Sequence, residues 1–300
     1  MHSLDIFARL TRHPINMKPT FAIVGCGKCG TTTLAYLLGQ HPDVFITRCK
    51  EPNFLSWESV YTQGWQWYES LFEEGKYLAA RGEASVSYSL AEYEVDVCER
   101  IARYLPDLRI IYIARNPFQR LESVFREHHD SGHQHGWNLP FTLAEAVNYR
   151  PQMLINSLYW QRTASFRSIL PSSQILYLCL EDLQENPDVV LKECFGFIGV
   201  DPSFSIDRSH TKLNEGGQKM YDTKLMRLIR DHPNVEKIYG RLPAQIRLRF
   251  MPLLRRSFSG KAIEWEPAFK DRFINDMAED VRSFLHACNK PADFWGREFI

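Results

Sequence analysis

The sequence predicts a three-layer α/β fold, a parallel sheet flanked by helices with a helical C-terminal part. Three observations predict it. Strand-length apolar runs alternate with helix-length amphipathic segments, as in a sheet covered on both faces. The run 108–114 is apolar at nearly every position except Arg109, which marks a central strand buried on both sides. A Gly-rich turn at 25–30 joins an apolar strand to a helix. No repeat or low-complexity linker interrupts the 300 residues, so a single domain, 1–300, is expected. Its core spans about 20–220 and its helical C-terminal part about 221–300. A chain of this length buries roughly 75% of its unfolded surface.

The first strand reads as 21–24, followed by a helix over 31–40 and a short strand at 44–46. Residues 91–104 have helical spacing, with Val95, Cys98, Ile101 and Ala102 on one face. After the strand at 108–114, helices are predicted at 118–129 and 153–169, with a second central strand at 174–180. Asn186-Pro187 opens a further helix, because proline is tolerated at a first helical position. Beyond about residue 201 the pattern is mostly helical.

Composition excludes several classes. The chain is 44% hydrophobic and 24% charged, which rules out disorder and collagen-like repeats. Lys+Arg and Asp+Glu are both 36, so a chain-wide basic field for nucleic acid is absent, and any bound anion needs a local site. No apolar run reaches the ~20 residues of a membrane span, and residues 1–19 lack the apolar core of a signal peptide. Seven scattered cysteines suit a reducing compartment rather than a disulfide framework. The expectation is a soluble, cytoplasmic, folded protein with no membrane or nucleic-acid partner; the sequence sets no oligomeric state.

Phe21 to Thr33 reads F-A-I-V-G-C-G-K-C-G-T-T-T. Gly25, Gly27 and Gly30 let the backbone approach a ligand. The free N–H groups at the helix start form an anion site, to which Lys28 adds a charge and Thr31, Thr32 and Thr33 add hydroxyls. The string matches the dinucleotide pattern G-x-G-x-x-G, with Glu51 about where the ribose-binding acid belongs. It also has the Walker A glycine spacing, but Thr31 stands where that motif requires lysine. A lysine inside the loop followed by three threonines suits a small dianion held at close range.

Gly27-Lys28-Cys29-Gly30-Thr31-Thr32 resembles the 5′-phosphosulfate loop of the sulfotransferases that use 3′-phosphoadenylyl sulfate (PAPS). Arg115-Asn116-Pro117, with Ser123 eight residues beyond the arginine, resembles the family's 3′-phosphate element. Lys50-Glu51-Pro52-Asn53-Phe54, leading to Trp67-Tyr68, is similar to the glycosaminoglycan-type (heparan sulfate) branch, whose matching Glu is the catalytic base. The resemblance covers about residues 20–220 and implies a P-loop-like sulfotransferase fold. The chain departs from that branch at Ala84, where polysaccharide-acting members carry Lys after Glu. The late Lys-Gly-Arg nucleotide cover is replaced by the segment 214–219, which ends in Lys219.

The resemblance implies PAPS as co-substrate, with no metal required, and transfer of a sulfuryl group to a hydroxyl or amine. Lys28 meets the leaving bridging oxygen, and Glu51 takes the acceptor proton, with His128 as alternative base. Gly27, Lys28, Cys29, Gly30, Thr31, Thr32, Thr33, Arg115, Ser123 and Lys219 are the expected nucleotide contacts. Lys50, Glu83 and His129 are the expected acceptor contacts. The His-rich run 128–135 also has metal-ligand residue types, but reads first as a polar loop. Cys26 and Cys29 form a CxxC without a second pair and read as loop filler rather than zinc ligands. The aromatic residues between Trp57 and Phe72 are core or pocket wall.

Trp57 to Glu74 holds four acids (Glu58, Glu69, Glu73, Glu74) and no base, which argues against a polyanion and for a small natural product as acceptor. The rival readings are a carbohydrate sulfotransferase, an NAD(P)-dependent oxidoreductase, and a non-catalytic nucleotide-binding module.

Overall fold

Along each short apolar strand, successive side chains point to opposite faces, and both faces are packed. The computed structural model describes residues 17–206, 219–232, 241–258 and 262–300. In β1 (Phe21–Ile23), Phe21 and Ile23 join one core cluster, while Ala22 and the following Val24 join the other. In β4 (Arg109–Ala114), Ile111 and Ile113 join the first of these and Ile110, Tyr112 and Ala114 the second. Helices α1 (Thr31–Leu38) and α4 (Pro187–Ile198) contribute to the Phe21 cluster. Helices α2 (Glu94–Tyr104), α3 (Pro117–Ser131) and α5 (Pro267–Ala287) contribute to the other. This is the three-layer arrangement that the sequence predicts.

The sheet has the order β2-β3-β1-β4-β5, with β2 at Val44–Ile46, β3 at Ala80–Ala84 and β5 at Ile175–Cys179. Every pairing in it is parallel. From β1 the chain builds one side of the sheet and then crosses to the other, so the crevice at the C-terminal end of β1, between β3 and β4, is the topological switch point.

Strand β3 has no counterpart in the sequence reading. It is A-R-G-E-A, with two charged residues where a buried strand is normally apolar, yet Arg81 and Glu83 are both buried. Arg81 finds carbonyl acceptors at Leu78 (2.7 Å) and Lys18 (3.2 Å). The helix expected at 153–169 is three short pieces: Gln152–Ile155, Tyr159–Arg162 and Ala164–Ile169. The restart at 159 is held by Asp280 of α5, whose carboxylate accepts from the backbone N–H groups of Trp160 (3.0 Å) and Gln161 (2.8 Å). The buried face of α2 is Val97, Cys98 and Ile101, whereas Val95 is 78% exposed and Ala102 is exposed.

The C-terminal part is helical but also contains β6 (Met220–Asp222) paired antiparallel with β7 (Arg255–Ser257). Helix α5 buries Phe269, Phe273, Met277, Val281 and Phe284, a stripe at helical spacing. Phe284 reaches Tyr112 of the sheet, with ring centroids 5.8 Å apart. Among the described residues, no helix is long and apolar enough to cross a membrane.

Candidate active site

Three strand ends bring the predicted site residues to the switch point. The end of β1 runs into the Gly-rich loop, β3 into Ser85, and β4 into Arg115. Gly25 is required by contact, since a Cβ there would lie 2.3 Å from the Ile113 carbonyl oxygen. Lys28 adopts a left-handed φ of 72°, and Gly30, at 87°, forms the N-terminal end of α1 with no side-chain cap. The first N–H groups of α1 are thus available to an anion. Thr31 is buried, Thr33 half-buried and Thr32 exposed.

Lys28 Nζ lies 2.9 Å from Glu127 Oε2, and Lys219 Nζ bonds the same oxygen. Burial alone would raise the Glu127 carboxyl, but the hydrogen bonds from Lys219 and Lys28 outweigh it and hold it down to about 2. Residues 214–218 lie outside the described residues. Glu127 was not anticipated; its spacing of four from Ser123 on a helix is the signal that could have found it.

Arg115 leaves β4, and its guanidinium Nε and Nη2 donate to Gln119 Oε1 at 3.2 and 3.0 Å. Asn116 caps α3 by accepting from Phe118 N at 3.0 Å, and Pro117 takes the first helical position. Gln119, Ser123 and Glu127 follow at i, i+4 and i+8, one polar column about 12 Å long. Arg115 stands at its start and Lys28 and Lys219 at its end, so the column joins both predicted phosphate elements.

The segment before the short helix Glu58–Tyr61 carries Glu51. Glu51 and Asn53 are non-glycine residues with positive φ, 47° and 53°, a strain held by neighbours. Asn53 Nδ2 donates to the Glu51 carbonyl at 2.7 Å, Ser87 Oγ donates to Asn53 Oδ1 at 2.5 Å, and the Asn53 N–H donates to Ser85 Oγ at 3.0 Å. Half-buried Glu51 is pushed above the usual carboxylate range by burial, against the pull of Lys50 and Lys28.

Glu83, expected at the acceptor, is fully buried. It accepts from Tyr68 (2.5 Å), Tyr88 (2.6 Å) and Ser85. Its place is beneath the Glu51 segment, as the anchor of Ser85, and not on an open surface. Burial raises its pKa and the nearby charge of Glu51 adds to the rise. Lys50 is exposed beside Glu51.

The two histidines do not join this group. His128 packs its ring on Trp137 at 4.8 Å, and His129 Nε2 bonds the Pro140 carbonyl at 3.1 Å. Both are pushed down to about 4, by burial first and then by Arg150 beside His128 and Arg227 beside His129. On α3, His129 stands about 200° round from Glu127, and it lines a cavity of about 430 Å³ with Phe125, Phe141, Tyr221 and Phe258. Among the described residues, no group of three or more His, Cys, Asp or Glu is placed to hold a metal ion. Cys26 and Cys29 are buried with their Sγ atoms 2.8 Å apart.

Of the acids counted between Trp57 and Glu74, three have basic partners from sequence or space: Glu58 with Arg100, Glu73 with Lys76, and Glu74 with Arg48. The segment is close to neutral rather than acidic, because Arg48 and Arg100 reach it from outside.

Residues 18–287 match the sulfotransferase domain family. The bifunctional heparan sulfate N-deacetylase/N-sulfotransferase 3 of Mus musculus is 25% identical over 213 residues, 64% of this chain and 24% of that protein. The N-deacetylase/N-sulfotransferase 2 of Homo sapiens is 25% identical over 207 residues, 64% of this chain and 23% of the relative. The chain therefore spans about a quarter of the length of these curated relatives. A sulfotransferase structure from Alicyclobacillus acidocaldarius superposes with a TM-score of 0.63 at 21% identity, covering 93% of this chain and 98% of that one.

Proposed function

The chain belongs to the sulfotransferase domain family, and we propose that it moves a sulfuryl group from PAPS to a hydroxyl or amine of a small-molecule acceptor. The observation that carries the reading is Lys28 in its left-handed turn just ahead of the uncapped start of α1, a cation set inside an anion-binding loop. Glu51 is a carboxylate whose basicity is raised by burial.

The residues fit the donor. The uncapped start of α1 and Thr31–Thr33 suit its 5′-phosphate, and Arg115 with Ser123 suits its 3′-phosphate. PAPS supplies an activated sulfuryl group. In the transfer, the bond from sulfur to the bridging oxygen breaks and a bond from sulfur to the acceptor oxygen or nitrogen forms. Lys28 stabilises charge on the departing phosphate oxygen, and Glu51 receives the acceptor proton. The products are the sulfated acceptor and adenosine 3′,5′-bisphosphate. Glu127 is engaged by Lys28 and Lys219 and held down to about 2, whereas Glu51 is raised by burial, which makes Glu51 the better-suited base. The histidines, held low by burial, are engaged elsewhere: His128 packs on Trp137 and His129 bonds the Pro140 carbonyl.

A neutral acceptor follows from the pairing of charge. Lys28 and Lys219 are engaged by Glu127, and Arg48 by Glu74. Three cations against two carboxylates leave a surplus of one among these residues, little to steer a polyanion. A carbohydrate acceptor is the second reading, favoured by the match to the two heparan sulfate relatives.

The test is release of adenosine 3′,5′-bisphosphate from PAPS with a panel of neutral hydroxyl and amine compounds and of heparan-type oligosaccharides. Turnover of the former is expected, with Lys28→Ala slower by about 10²–10³. Turnover that rises with oligosaccharide charge and falls with added salt overturns the small-molecule acceptor. Near-wild-type turnover by Lys28→Ala overturns the loop's role.

A further inference from the structure

The nucleotide loop and the segment at residue 219 are far apart in sequence, yet one carboxylate joins them. Glu127 Oε2 accepts from Lys28 at 2.9 Å and from Lys219, while Ser131 Oγ donates to the Glu127 backbone carbonyl at 3.0 Å and lies 3.4 Å from Oε1. A single carboxylate oxygen thus faces both ammonium groups. Neither lysine is spent on a surface pair, since their side chains are 33% and 24% exposed and that of Glu127 is 32% exposed.

We propose that Glu127 is an internal counter-anion that competes with the nucleotide's charged groups for Lys28 and Lys219, setting donor affinity and coupling the two segments. The proposal rests on the reading of the loop as the PAPS site. Three charges of which only one is negative leave a net positive centre, which still attracts a phosphate. When an anionic group arrives, each lysine exchanges one carboxylate contact for contacts to the ligand. The energy of nucleotide binding is reduced by whatever the Glu127 pairs contributed. Because both lysines share one oxygen, loss of one to the ligand also changes how firmly the other is held. A position for Glu127 on the same column as Ser123 places this competition within the predicted nucleotide groove rather than at its edge.

The effect has a sign that a purely structural role lacks. If Glu127 only supported the fold, its loss would weaken nucleotide binding. As a competing anion, its neutralisation strengthens binding. The experiment is calorimetric titration of adenosine 3′,5′-bisphosphate into wild type, Glu127→Gln, Glu127→Asp, and Glu127→Gln combined with Lys28→Met. Glu127→Gln is expected to bind roughly tenfold tighter at low salt, with the gain shrinking as salt rises. The shorter Glu127→Asp is expected to fall between it and wild type, which keeps the test open if the glutamine variant does not fold. In the Lys28→Met background the gain is expected to shrink, because one of the competing pairs is gone. Unchanged or weaker binding by both single variants overturns the proposal. If wild type, with a normal melting transition, does not bind the bisphosphate, it is the PAPS reading that fails, and the counter-anion role falls with it.

Discussion

Tyr88 donates its hydroxyl to Glu83 Oε1 at 2.6 Å, and the same hydroxyl accepts from the Leu55 backbone N–H at 3.2 Å. A buried carboxylate on a central strand thereby holds the segment that carries Glu51. Through Ser85, Glu83 also supports Asn53. The strained φ of 47° at Glu51 and of 53° at Asn53 is sustained by this network.

Glu83→Ala is therefore expected to strand the Tyr68, Tyr88 and Ser85 hydroxyls and to cost about 3–5 kcal/mol, read as a drop in the denaturant midpoint. Glu83 also sets a pH dependence. Its folded pKa is raised, so between the unfolded and folded values the native state binds more protons. Stability contributed here falls as pH rises through that window. A wild-type protein that gained stability over the same window relative to Glu83→Gln would contradict this assignment.

Catalysis should show an acid limb belonging to Glu51. With its pKa raised by burial, the limb is expected above the ordinary carboxylate value, and Glu51→Gln should lose about 10²–10⁴ in rate. Since Lys28 pulls Glu51 down, Lys28→Met should move whatever limb remains to higher pH. A limb unchanged by Glu51→Gln would point to another base.

Arg115→Ala and Ser123→Ala are expected to weaken adenosine 3′,5′-bisphosphate much more than adenosine 5′-phosphate, because a residue that meets only the 3′-phosphate discriminates only through it. Equal losses for the two nucleotides, measured by calorimetry, would assign both residues to folding.

Cys26 and Cys29 flank Lys28 with their sulfurs 2.8 Å apart. Burial pushes the Cys26 thiol up, but the Cys29 hydrogen bond and the Arg120 charge outweigh it and leave Cys26 below the usual thiol value. Peroxide is expected to take two electrons from the pair, forming a disulfide and two waters, and to slow turnover reversibly. Equal rates of inactivation for wild type and the Cys26→Ser/Cys29→Ser variant would refute it.

The sequence by itself determined the sheet's apolar strands, the Gly-rich loop, and the Arg115–Ser123 element, because each is a local pattern: an apolar run, glycine spacing, an interval of two helical turns. Glu51 was singled out only through the family resemblance of its Lys-Glu-Pro context, since a lone Glu in such a turn otherwise reads as a surface residue. Only the tertiary structure decided β3, where Arg81 finds the Lys18 carbonyl and Glu83 the Tyr68 and Tyr88 hydroxyls, which makes a charged pentapeptide a buried strand. It also decided that Glu83 is an anchor, that His129 lines a cavity with Phe125 and Phe258, and that Lys28 and Lys219 share Glu127. Separations of 99 and 92 residues intervene in those two pairs. The physical reason is common to all of them. Periodicity reports which face of an element is apolar, but the partner of a buried charge is chosen by how the elements pack, and that choice leaves no local mark in the sequence.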